Sequence, residues 1–210
     1  MEIKKENVIK AYMAGDDNAK IMLREMFPEI DFEAEKQAEK RPVTERVKTF
    51  EDARRELGEN HPLVIEWDTI CEAFHDKGKE MDYNTIAYLK LRIICAALNE
   101  GWQPAFTPGE WRYNPWYNFL TKKEWDDLSE QQKKERGVLF GGSAANGALG
   151  GFVYEYSNYA PSYTPASIGS RLCFKTNELA IYAAKQFMQD WLDLCYLPNI
   201  DCKPYSESVL

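Results

Sequence analysis

The chain has 210 residues, enough for one domain whose core needs no covalent staples, and its 34 acidic against 26 basic side chains leave a net charge of −8. That balance excludes general phosphate neutralisation, which depends on clustered Lys and Arg, so no nucleic-acid partner is expected. The five cysteines, Cys71, Cys95, Cys173, Cys195 and Cys202, form no CxxC pair. They exclude a disulfide framework and suit a reducing compartment.

The opening MEIKKENVIKAYMAGDDNAK has no continuous apolar stretch of the kind a secretory signal carries. No run in the chain approaches the ~18 apolar residues of a membrane span. The expectation is a protein made soluble in the cytoplasm, without membrane insertion, with release inside a virus particle as a further route.

Ile3, Val8, Ile9, Tyr12, Met13, Ile21, Leu23, Met26 and Phe27 space out one or two short amphipathic helices broken around Gly15 and ended before Pro28. Residues 29–46 are densely charged with few large apolar side chains, which predicts a solvated linker. Thr49 and Asp52 have capping-box spacing, with Gly58 placed to end a helix of about two turns, and a further helix is expected from Leu63 to Phe74. From Asp82 or Asn84 to Asn99, Ile86, Leu89, Ile93, Ile94 and Ala97 recur at helical spacing before Gly101. Ala87, Leu91, Cys95 and Leu98 widen that stripe, which predicts a helix central to the core.

Residues 101–125 hold Trp102, Trp111, Trp116 and Trp125, with prolines at 104, 108 and 115 that prevent one long helix. Aromatics in such a stretch pack a core more often than they form a sugar-stacking platform. Thr121-x-x-Glu124 and Ser129-x-x-Gln132 are two capping boxes, the second opening a polar helix that ends by Gly137. Thr176 is placed to cap a last helix with Leu179, Tyr182, Ala183, Phe187, Trp191 and Leu194 on one face, stopped by Pro198 and followed by an irregular tail.

Between them, residues 138–170 carry one charged side chain, Glu155, and six of the twelve glycines. Tyr154, Tyr156, Tyr159, Tyr163, Asn146, Asn158 and several serines fill the gaps. Tyr gives large contact area with few torsions to freeze, and Ser, Gly and Asn give adaptable polar contacts, the alphabet of a recognition surface. Tyr also forms strands well, so ordinary strands and turns are the alternative.

The chemistry of catalysis is not legible in the chain. His61 and His75 fall in separate elements without partners at metal-ligand spacing, and Gly141-Gly142-Ser143 completes neither a nucleophile elbow nor a phosphate loop. Glu124, Asp126 and Asp127 suit an acidic first helical turn. No cofactor, no metal and no enzymatic activity are expected.

Gly141-Gly142-Ser143, the Tyr- and Asn-rich interval, and Ile168-Gly169-Ser170-Arg171-Leu172 resemble the C-terminal part of C-type lectin-like domains of the formylglycine-generating-enzyme branch. More narrowly they resemble the variable proteins of diversity-generating retroelements, where the interval is rewritten at adenine-containing codons. The chain as a whole is similar in character to proteins of gut Bacteroidetes and their phages. Ala144 and Ser170 depart from the Trp and Phe usual in that pattern, and a helix follows the closing strand.

The resemblance implies an α+β chain, a helical N-terminal part packed on a C-type lectin-like, loop-rich mixed domain with a C-terminal helix. The expected divisions are an N-terminal helical segment (1–28), a charged linker (29–46), a helical subdomain (47–100), the lectin-like domain (101–197) and the tail (198–210). It further implies Gly141, Gly142, Gly169 and Arg171 as scaffold, with Asn146, Tyr154, Glu155, Tyr156, Asn158, Tyr159 and Tyr163 binding a cell-surface protein or glycan. Tyr154 and Tyr156 share a face if that piece is a strand, and Tyr154→Ala or Tyr156→Ala is expected to abolish binding with the fold intact. The alternative is a phage structural or assembly protein that buries the same segment between subunits, as a homo-oligomer or a virion component.

Overall fold

A computed structural model describes residues 3–39, 41–105, 107, 109–140, 150–161, 172–195 and 202–204. The chain divides into two compact units, Met1–Arg46 and Val47–Leu210.

The first unit is helical. α1 (Lys5–Ala14) and α2 (Asp17–Met26) meet at Gly15, where an added Cβ would lie 3.0 Å from both the Ala11 carbonyl and the Ala19 methyl. Asp16 caps α2 by accepting from the Ala19 N–H at 2.8 Å. The expected linker is instead structured, as α3 (Phe32–Glu39) and α4 (Val43–Arg46). Two apolar side chains decide this. Ile30 and Phe32 are buried with Val8 and Tyr12, and the Phe32 ring stacks on Tyr12 with centroids 4.2 Å apart. The charges that suggested a linker line the wet face, pairing Arg24 with Glu33 at 2.6 Å and Lys5 with Glu35 at 2.9 Å.

The second unit is α+β and joins the two expected subdomains around one core. α5 (Phe50–Leu57) starts at the Thr49–Asp52 capping box and stops at Gly58, whose φ is +83°. α6 (Pro62–Asp76) has its proline at the first helical position and His61 as cap. α7 (Tyr83–Leu98) is the central helix: Ala87, Leu89, Leu91, Ile93, Ile94, Cys95, Ala97 and Leu98 are all buried. It ends at Asn99 because Glu100 and Gly101 turn left-handed, with φ of 49° and 82°.

The aromatic stretch becomes β1 (Trp111–Thr121), followed by α8 (Lys122–Asp126) and α9 (Glu130–Arg136), each opened by its expected capping box. β2 (Gly137–Phe140) and β3 (Gly150–Pro161) come next. The expected last helix is two, α10 (Asn177–Gln186) and α11 (Met188–Cys195), divided at Phe187, whose backbone leaves helical geometry. The tail is not wholly irregular, since β4 (Cys202–Pro204) pairs antiparallel with β2. The sheet order is β1-β3-β2-β4 with every pairing antiparallel. α7 packs on α10 and α11, and α10 lies on β1 and β3.

Candidate functional site: a bulged strand pair

β1 and β3 pair along their whole length, from Trp111 opposite Pro161 to Thr121 opposite Gly150. One irregularity interrupts the ladder. Trp116 stands opposite Tyr156 and Tyr117 opposite Tyr154, so Glu155 is an extra residue in β3. A β-bulge of this kind bends its strand and re-aims a side chain, and here the re-aimed residue carries the only charge in residues 138–170.

On the near side of the bulge β3 is core. Val153 is fully buried and Tyr154 is 5% exposed. Burial of consecutive strand residues requires cover on both faces. Tyr154 meets Tyr117 edge to face, with centroids 5.9 Å apart, and Tyr117 in turn lies 6.0 Å from Trp191 of α11. The Tyr117 hydroxyl donates to the Ala184 carbonyl of α10 at 2.9 Å, and burial pushes its phenol well above the usual value. This face belongs to α10 and α11, and α8 and α9 also pack on β3.

Tyr154 therefore leaves the set of candidate ligand contacts: its ring fills the core, and truncating it would open a cavity. The register sets Tyr154 opposite Tyr117 and Tyr156 opposite Trp116 with Glu155 inserted between them, so the two-residue period behind the expected shared face of Tyr154 and Tyr156 is interrupted there.

On the other face of β1 the picture reverses. Asn114, Trp116 and Asn118 follow one another at strand period on the side away from Tyr117. Trp116 is 44% exposed and Asn118 is exposed, while the half-buried Asn114 holds a buried Oδ1 with no hydrogen-bond partner. Trp111 and Phe119, which alternate on to the same side as Tyr117, are exposed at 43% and 46%. Opposite this row β3 sets Tyr156 against Trp116 and Asn158 against Asn114, while Tyr159 stands opposite Tyr113, outside the row. The register thus sets two of the expected positions, Tyr156 and Asn158, opposite this amide and indole row, with Glu155 bulged next to Tyr156.

Asn146, Tyr163, Gly141, Gly142, Gly169 and Arg171 lie outside the described residues. The β1 row was missed because the aromatic stretch was read as core. That reading holds for Trp125, 2% exposed in α8, and fails for Trp111 and Trp116. The usable signal was period two in Asn114-x-Trp116-x-Asn118.

Other chemistry is accounted for locally. Glu124 closes the α8 capping box, its carboxylate accepting from the Thr121 N–H and hydroxyl at 2.8 Å each, and those bonds hold its pKa below the usual range. His61 accepts from the Leu63 N–H at 3.2 Å, and burial lowers its pKa. Among the described residues no group of three His, Cys, Asp or Glu side chains is placed to hold a metal ion, and no helix is long and apolar enough to cross a membrane. No family model, curated protein or solved structure matches the chain.

Proposed function

We propose that this protein is a non-enzymatic binding protein which presents the bulged β1–β3 surface to a cell-surface protein or glycan. The observation that carries the reading is the exposed Trp116, flanked by Asn114 and Asn118 and set opposite the Tyr-rich strand where Glu155 bulges. Aromatic and arginine anchors dominate binding energy at such surfaces, and amides add orientation. The rigid support is already built: Tyr117 and Tyr154 root both strands in the helical layer beneath. The resemblance to lectin-like variable proteins of retroelements agrees with this placement, with Tyr156, Asn158, Tyr159 and the interval around them as the changeable contacts.

The test is a screen of the intact protein against arrayed glycans and surface proteins of its natural host, followed by Trp116→Ala and Tyr156→Ala. Loss of at least tenfold in affinity with an unchanged melting midpoint supports the reading. Binding by both variants equal to that of the parent chain rejects it.

A second reading is favoured by one feature. Residues 113–121 carry no charge in a chain of net charge −8, so two copies meeting there would escape the repulsion expected elsewhere. As a particle component the protein would be an oligomer at every concentration examined, with Trp116 shielded from solvent quenchers.

A further inference from the structure

We propose that Asn99, at the end of the central helix, is the positioning residue for the surface on β1, an assignment that rests on the binding reading above. The chain re-enters the described structure at Leu172 on the far side of β1 from β3. There Phe174 exchanges both backbone hydrogen bonds with Tyr113, at 3.0 and 2.9 Å. In an extended chain the neighbouring carbonyl and amide point the opposite way, and here they belong to the buried Cys173 and to Lys175.

Asn99 satisfies both of them. Its Nδ2 donates to the Cys173 carbonyl at 2.8 Å and its Oδ1 accepts from the Lys175 N–H at 3.0 Å. One side-chain amide takes the place that the peptide group of a neighbouring strand would occupy, and residues 173–175 are bonded on both edges. The chemistry is specific to the residue type. A carboxylate has the acceptor without the donor, and alanine has neither.

Asn99 is itself held firmly. It is buried, it closes α7, and its carbonyl accepts from the Trp102 N–H at 3.0 Å. The next residue, Glu100, reaches the same strap through a 2.8 Å ion pair with Lys175. The position of Tyr113, and with it Asn114 and Trp116, is thereby referred to α7, the most buried helix of the unit. Asn99 acts through residues 173–175, to which its side chain is bonded.

Hydrogen exchange on the intact protein tests this without a ligand. In Asn99→Asp at neutral pH, exchange over residues 111–114 and 172–175 should accelerate at least tenfold, while residues 86–98 change less than twofold. Lowering the pH to protonate the new carboxyl restores a donor for the Cys173 carbonyl, so the difference from the parent chain should shrink. Asn99→Ala should loosen the same residues and show no recovery in acid, which separates hydrogen bonding from space filling. A uniform rise across α7 and β1, no rise at all, or equal acid behaviour in the two variants overturns the proposal. Failure of the binding reading appears elsewhere, as undiminished ligand binding in Trp116→Ala, and leaves the exchange pattern untouched.

Discussion

Tyr117 and Tyr154 meet edge to face across the β1–β3 ladder, with ring centroids 5.9 Å apart and planes at 70°. The contact ties the buried Val153–Tyr154 stretch of β3 to the helices beneath it, through the Tyr117 hydroxyl bonded to Ala184. Tyr154→Ala should therefore cost about 3 kcal/mol, as truncations of buried aromatics do. Tyr117→Phe, which loses a single neutral hydrogen bond, should cost about 1 kcal/mol. Urea unfolding of the two variants checks both values, and a Tyr154→Ala protein as stable as its parent would return that ring to the surface.

The tryptophans divide in the same way. Trp125 is 2% exposed and Trp116 is 44% exposed. Trp125→Ala should destabilise the fold by about 3–5 kcal/mol, whereas Trp116→Ala should stay within about 0.5 kcal/mol, as substitutions outside the core do. Thermal melts together with fluorescence quenching distinguish the two: removing Trp116 should take away much of the readily quenched emission.

Asp190 gives the chain an unusual response to pH. Burial, with a smaller push from Asp193, holds its carboxyl above the ordinary aspartate value, although Lys90 at 3.6 Å pulls the other way. A folded-state pKa that is raised means the folded protein binds the proton more tightly than the unfolded chain. This contribution to stability is complete below pH 3.8, the ordinary aspartate value, and is lost as pH rises through the folded-state pKa. Asp190→Asn does not titrate, so its stability relative to the parent should improve over that rise. Parallel stability curves for the two proteins from acid to neutral pH would refute the assignment.

Asp52 behaves in the opposite sense. Burial raises its pKa, but hydrogen bonds from the Lys48 and Thr49 backbone and the Thr49 hydroxyl, with the charge of Arg55, outweigh burial and leave it lowered. Its contribution is present above pH 3.8 and disappears as pH falls through the folded value. Thr49→Ala should cost about 1 kcal/mol at neutral pH, and part of that difference should vanish in acid, where the box is already broken in the parent.

Much of this fold could be read from the chain because helix ends are local events. Thr49 with Asp52, Thr121 with Glu124, Ser129 with Gln132, and Thr176 each start a helix where their spacing says one should start. What escaped depends on partners distant in sequence. Phe32 turns a charged stretch into structure only because Tyr12 is there to stack on. Residues 202–204 form a strand only because β2 offers an edge. The bulge at Glu155 escaped for the same reason, since a two-residue period within β3 cannot show where its neighbour is one residue shorter. That omission set Tyr154 among the candidate contacts, although its ring is buried, and left the exposed Trp116 out.

The bulge also divides β3 into two lengths with different freedom to change. In residues 150–154 a single inserted or deleted residue would rotate Val153 and Tyr154 out from under their helices, because strand faces exchange with every step of register. In residues 156–161 the same alteration has somewhere to go, because the ladder is already broken beside it at Glu155. One strand thus contains a constrained root and a tolerant tip, and small length changes that altered the proposed surface should accumulate on the Pro161 side of Glu155.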